Sequence, residues 1–209
     1  MGKYSDELLK KTVTSPEKEI VIVDEDYISK EPTTYTINVK EGFSRHITIM
    51  DSDGKECYQY KTKSLSDTFT ICDTKEKPLI SIKMGFTTDR IYSEKRIKKE
   101  IGTIKGKNST KAHKVVIEYT NKATKKEEVL NLNCSSNYRT SGVFHGREKE
   151  GAPMICRFNR EFKSSFLDSE SNFTIEIAPN VDTLIMITLC VYIILKKSND
   201  EAAVLAAAV

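Results

Sequence analysis

From Glu19 onward, short runs of alternating apolar and polar residues follow one another, separated by turn-forming residues. Ile20-Val21-Ile22-Val23 is β-branched throughout, and Thr34-Tyr35-Thr36-Ile37-Asn38-Val39 alternates. Period-two alternation turns one face of a chain toward a core and the other toward water, which predicts half-buried strands. Helical periodicity sustained over ten or more residues is rare before residue 180. About ten to twelve strands are expected, enough to close a barrel and remove the sheet edges. Residues 1–18 are polar and without sustained periodicity, and are expected to form a flexible tail.

Two segments repeat one design. In Ile47-Thr48-Ile49-Met50-Asp51-Ser52-Asp53-Gly54-Lys55-Glu56-Cys57-Tyr58-Gln59-Tyr60, alternating runs flank a turn whose Asp can accept bonds from its own backbone and whose Gly accepts a positive φ. The pattern recurs 22 residues later from Phe69 to Ile82, with Asp73 in the place of Asp51 and Ile71 in that of Ile49. Residues 47–84 therefore read as a four-stranded meander. Further hairpins are expected from Val115–Tyr119 to Val129–Leu132 and from Tyr138–His145 to Met154–Arg160, and a last strand at Asn172–Ile177.

The pattern breaks after Ala178-Pro179-Asn180-Val181-Asp182, a turn followed by an N-cap. Thr183 to Leu195 carries no charge, and Lys196 and Lys197 follow it. A helix apolar on every side must be buried on every side, in lipid or in protein. Thirteen residues at about 1.5 Å each span roughly 20 Å, against about 30 Å for a bilayer core. The length favours a central helix with a barrel wrapped around it. The barrel domain is thus placed at residues 19–198, with a C-terminal tail at 199–209.

The five cysteines (Cys57, Cys72, Cys134, Cys156, Cys190) form no C-x-x-C pair, and the N-terminus has no apolar leader. Free thiols in a reducing, cytoplasmic compartment are expected. His46, His113 and His145 have no second ligand at metal-binding spacing. Asp51-Ser52-Asp53-Gly54 is not a calcium loop, because Gly stands fourth between strands rather than sixth between helices. No phosphate-binding glycine loop is present. Neither a catalytic constellation, nor a metal, nor a cofactor is expected.

Charge is nearly balanced overall, with 33 basic and 30 acidic residues, but it is segregated. Between Arg90 and Lys126 stand twelve basic residues against three acidic ones, a net charge of +9. Such an excess fits an anionic surface: acidic lipid headgroups, inositol phosphates or nucleic-acid phosphates. It equally fits solvated strand edges guarded by lysine. Nucleic acid ranks below lipid, since only Tyr92 and Tyr119 could stack on bases within the stretch. The candidate headgroup contacts are Lys95, Arg96, Lys98, Lys99, Lys105, Lys107, Lys111 and Lys114; Lys122, Lys125 and Lys126 sit in an expected turn and are set apart.

The paired hairpins at 47–60 and 69–82, the second ending in Pro78-Leu79-Ile80, and the closing Ile177-Ala178-Pro179-Asn180-Val181-Asp182 before a hydrophobic helix resemble the LURP-one-related family. That family belongs to the tubby C-terminal-like superfamily, which includes the phospholipid scramblases. The resemblance spans about residues 33 to 198. Asn180 stands where Gly is usual, and Asn also tolerates the left-handed conformation. The resemblance implies a twelve-stranded barrel around a hydrophobic C-terminal helix, no established enzymatic activity, and kinship with tubby domains that bind phosphoinositides.

The expected function is therefore a non-enzymatic β-barrel module that binds anionic phospholipid, phosphoinositide in particular, and attaches to membranes peripherally. A protein-interaction or structural module without a lipid role stays open, as does a scramblase-like membrane protein, which would need a true spanning segment. The thirteen-residue limit of the apolar run generates a first prediction: carbonate extraction should release the protein from cell membranes. Retention in the pellet would favour the scramblase-like alternative.

Overall fold

In the computed structural model, which describes residues 3–40, 46–62, 66–94, 98–107, 112–161 and 170–207, the alternating runs become twelve antiparallel strands. They are β1 (Thr33–Lys40), β2 (His46–Met50), β3 (Glu56–Thr62), β4 (Thr68–Asp73), β5 (Pro78–Lys83) and β6 (Thr88–Ser93), then β7 (Lys99–Lys107), β8 (Ala112–Asn121), β9 (Lys126–Ser135), β10 (Thr140–His145), β11 (Met154–Glu161) and β12 (Glu170–Ile177). Each strand pairs with its neighbours in sequence, and β12 returns to β1 in register from Thr33↔Ile177 to Lys40↔Glu170. The barrel is closed, so no strand edge is left unpaired. Helix α1 (Lys3–Lys10) precedes it and helix α2 (Thr183–Ala207) follows it.

The repeated turns share one geometry. The Oδ1 of Asp51 accepts from Asp53 N and Lys55 N at 3.0 Å, and that of Asp73 from Lys75 N and Lys77 N at 2.9 Å. Gly54 and Glu76 occupy the same left-handed position, at φ 75° and 63°. The meander predicted at 47–84 is β2 to β5, in that spatial order.

Alternation aims one side chain in two at the barrel axis. Ile37, Ile49, Ile71, Ile82, Ile91, Ile117, Leu132 and Ile175 are fully buried there. They surround Leu184 to Leu195 of α2, every residue of which is buried. The polar atoms on this length are satisfied: Thr188 Oγ1 donates to Leu184 O (2.7 Å) and Tyr192 OH to Asp89 Oδ2 (2.6 Å). Asp182 caps the helix, its Oδ1 accepting from Ile185 N at 3.3 Å. Asn180 adopts φ 62°, the left-handed turn that Gly would otherwise supply. Beyond Lys197 the helix continues to Ala207, longer than the expected 183–195, because the Ala-rich segment favours helix.

Two expectations about the N-terminal region are corrected. Ile20–Val23 is not a barrel strand. Four consecutive apolar residues cannot expose alternate side chains, and all four are buried as a strap across one end of the barrel. Ile22 N and Val23 N donate to Asp182 Oδ2 (3.1 and 2.6 Å), and Val21 N to Asn121 Oδ1 (3.1 Å). Residues 1–18 were expected to be a flexible tail, yet α1 lies against the outside of the barrel, with Leu8 buried among Phe144 and Met154. Gly142 makes room for it: a Cβ there would lie 3.2 Å from Leu8 and 2.8 Å from the Met154 sulfur. Arg157 holds the helix end through Leu9 O and Lys11 O. A short amphipathic helix hides its periodicity in eight residues, too few for the pattern to stand out.

The end closed by residues 19–32 is called here the strap end; the opposite end, where α2 emerges, is the mouth. Two predictions follow from the core. Ile187→Asp would bury an unpaired charge and should abolish soluble expression, whereas Ile187→Val should cost only about 0.5–1.5 kcal/mol by chemical denaturation. Burial pushes the Asp182 carboxyl up to about 6, against the opposing pull of its backbone donors. The folded state then holds a proton that the unfolded chain releases, so this group adds stability as pH falls through 6. Denaturation between about pH 7.5 and 5.5 should show a gain of about 1 kcal/mol, and Asp182→Asn should remove that gain.

Candidate functional site

Antiparallel topology distributes the basic segment over both ends of the barrel. The β6–β7 and β8–β9 turns lie at the strap end; the β5–β6, β7–β8 and β9–β10 turns lie at the mouth. Lys98 and Lys99 are at the strap end, Lys107 and Lys114 at the mouth, and Lys105 between them on the outer face of β7. Lys95, Arg96 and Lys111 lie outside the described residues. Eight strand steps separate Lys99 from Lys107, about 26 Å at roughly 3.3 Å per residue. That is well beyond a screening length of about 10 Å. The five described residues do not form one patch.

At the strap end, Lys99 shares a groove of about 860 Å³ with Lys122 and Lys125, which the sequence reading had set apart. Four carboxylates line the same groove: Glu100, Glu118, Glu127 and Glu128. Glu118 is held below its ordinary range by the hydrogen bond from Lys105 (2.7 Å). Burial would raise Glu128, but bonds from Thr124, Asn121, Tyr119 and His145 outweigh it and hold it ionised. Lys98 pairs with Glu94 at 2.9 Å and lies 4.9 Å from the Tyr92 ring. Acids match or exceed cations here, so the groove carries no excess of positive charge.

At the mouth the balance reverses. Lys107 and Lys114 are register partners across β7 and β8. Val115 and Ile117 of β8 point inward, so the two lysines face outward side by side. Like charges placed directly opposite destabilise a sheet, and among the described residues no carboxylate pairs with either lysine. They form a ridge between two depressions. One, of about 340 Å³, runs along the outer wall and adds Arg147 and Lys149 from the β10–β11 connection; its acids are engaged, Glu148 by Tyr4, Asn133 and Lys11, and Glu150 by Arg147. The other, of about 530 Å³, opens beside the emerging helix and adds His113 and Lys196. Its acid, Asp89, is buried and taken up by Tyr192 OH, Gly85 N (2.8 Å) and Lys196 (3.5 Å).

Arg147, Lys149 and Lys196 escaped the sequence reading because they are distant in sequence from the basic segment. In the sequence Lys196 only follows the uncharged run. An aromatic directly after Gly85 in a turn was the available signal for Phe86, which is fully exposed at the same end.

Burial favours the protonated form of all five thiols. Burial pushes Cys156 and Cys190 well up, and Cys57 up to about 11, largely by the same cause. All five cysteines are free. His113 stacks on Tyr138 with ring centres 4.0 Å apart. Among the described residues, no three of His, Cys, Asp and Glu converge as metal ligands, and no helix is long and apolar enough to cross a membrane.

A search among curated proteins found no match. Among solved structures, the chain is similar to the crystal structure of an Arabidopsis thaliana protein, with a TM-score of 0.60 and 19% identity over 86% of this chain and 98% of that one. At that identity the likeness establishes the fold. The sequence model of the LURP-one-related family matches residues 33–194, the whole barrel and α2 as far as Ile194. With a closed barrel threaded by its own C-terminal helix, the chain belongs to the LURP-one-related family.

Proposed function

We propose that the barrel is a non-enzymatic module that docks reversibly on anionic phospholipid, phosphoinositide in particular, at its mouth. The observation that carries this reading is the outward-facing pair Lys107 and Lys114, opposed in register and without a carboxylate partner among the described residues. A phosphate monoester between two ammonium groups would relieve their repulsion and accept hydrogen bonds from both. Arg147, Lys149 and Lys196 extend the positive field on either side. Kinship with tubby domains supports lipid over other anions. The protein on this reading is cytoplasmic and peripheral, held by charge and released by salt.

A second reading, a protein-interaction module, draws on the strap-end groove, where alternating lysines and glutamates suit a polar peptide of mixed charge better than a phosphate.

Co-sedimentation with phosphatidylcholine vesicles containing phosphatidylinositol bisphosphate tests the first reading. Each lysine near an anionic surface contributes on the order of 1 kcal/mol. Lys107→Glu with Lys114→Glu should therefore lower binding well over tenfold and leave stability nearly unchanged. Lys98→Glu with Lys99→Glu, at the other end, should change binding by less than about threefold. Wild-type binding should weaken as salt rises. Equal binding by the mouth variant and the wild type at low salt would leave the protein-interaction reading in its place.

A further inference from the structure

The mouth carries one feature that a phosphate site does not need. Phe86 is fully exposed, and among the described residues the only other exposed large hydrophobic is Val129, at 38%. Leaving a phenylalanine in water forgoes about 1.5–3 kcal/mol of burial, so its position is informative when the backbone holds it there.

Here the backbone does. The β5–β6 turn is braced on both sides: Met84 N donates to Asp67 O at 2.7 Å, and Gly85 N to Asp89 Oδ1 at 2.8 Å. The bend is tight enough that a Cβ on Gly85 would sit 2.4 Å from the Thr88 carbonyl oxygen. Asp89 is itself fixed to the central helix by Tyr192 and Lys196. Phe86 thus stands on a support anchored in the core. Lys83 lies at the base of the turn, 3.8 Å from Asp67, and Lys107, Lys114 and Lys196 line the depression beside it.

An exposed aromatic ringed by lysines matches one environment above others: the boundary of an anionic bilayer, where an aromatic ring rests among headgroups and acyl chains while cations meet the phosphates. A soluble inositol phosphate would engage the lysines and leave the ring in water. We infer that the barrel docks mouth first, with Phe86 entering the interface of an anionic bilayer and α2 directed toward the membrane, the strap end facing away. The inference rests on the lipid reading above and adds to it an orientation and an inserted residue.

The chain contains no tryptophan, so Phe86→Trp supplies a single reporter at the proposed point of insertion. The variant is mixed with vesicles of phosphatidylcholine alone, with vesicles that also contain phosphatidylinositol bisphosphate, and with soluble inositol hexakisphosphate. Emission should shift to the blue, and brominated lipid should quench it, only with the anionic vesicles. Phe86→Asp should sediment with these vesicles about tenfold less than the wild type, with an unchanged circular dichroism spectrum. If Phe86→Trp sediments without a shift, or Phe86→Asp sediments like the wild type, insertion is overturned while headgroup binding stands. A shift of the same size with inositol hexakisphosphate alone also overturns it, in favour of a soluble ligand. If the wild type does not sediment at low salt, the lipid reading fails and takes the insertion with it.

Discussion

A helix with no polar face can be stable in water only if something surrounds it completely, and that requirement organises this protein. From Leu184 to Leu195 α2 buries residues at every angle. An open sheet could cover one side; a closed barrel covers all. Closure also removes the unpaired strand edges that a twelve-stranded open sheet would expose. The two demands meet in the β1–β12 pairing, which places the last strand beside the first and delivers the chain directly to the barrel axis. Helix and barrel each supply the other's missing surface, so neither is expected to persist alone.

The two ends of the barrel solve the problem of termination differently. At the strap end, Asp182 accepts bonds from Ile22, Val23 and Ile185, joining the strap to the start of the helix with one buried carboxylate. Asn121 does the same between the strap and the β8–β9 turn. Few polar groups are left seeking partners, and the surrounding lysines face glutamates. At the mouth the helix continues outward, Asp89 anchors it, and the lysines around it have few acids to meet. The asymmetry follows from the buried backbone: a strap of consecutive apolar residues must be sealed by hydrogen bonds, whereas an emerging helix satisfies its own.

Much of this was legible in the sequence because it depends on local pattern. The strand alternation, the paired Asp turns, the left-handed Asn180, the Asp182 cap and the uncharged helix each depend on a few adjacent residues, and steric or hydrogen-bonding rules act at that range. The length of the apolar run even discriminated between bilayer and barrel, since rise per residue is a fixed geometric quantity.

Position in three dimensions was not legible. Ile20–Val23 has the composition of a strand, and only the presence of an open barrel end made it a strap. Leu8 found its pocket because Gly142, far along the chain, leaves a gap over Phe144 and Met154. The basic segment showed the same limit. Its charge is contiguous along the chain, but an antiparallel strand carries its two ends about 26 Å apart, so Lys99 joined Lys122 and Lys125 while Lys107 joined Arg147, Lys149 and Lys196. Sequence by itself determined which elements form, because propensity, period and turn chemistry are properties of neighbours. Tertiary structure alone decided which charges share a surface, because electrostatic fields add through space and not along the chain.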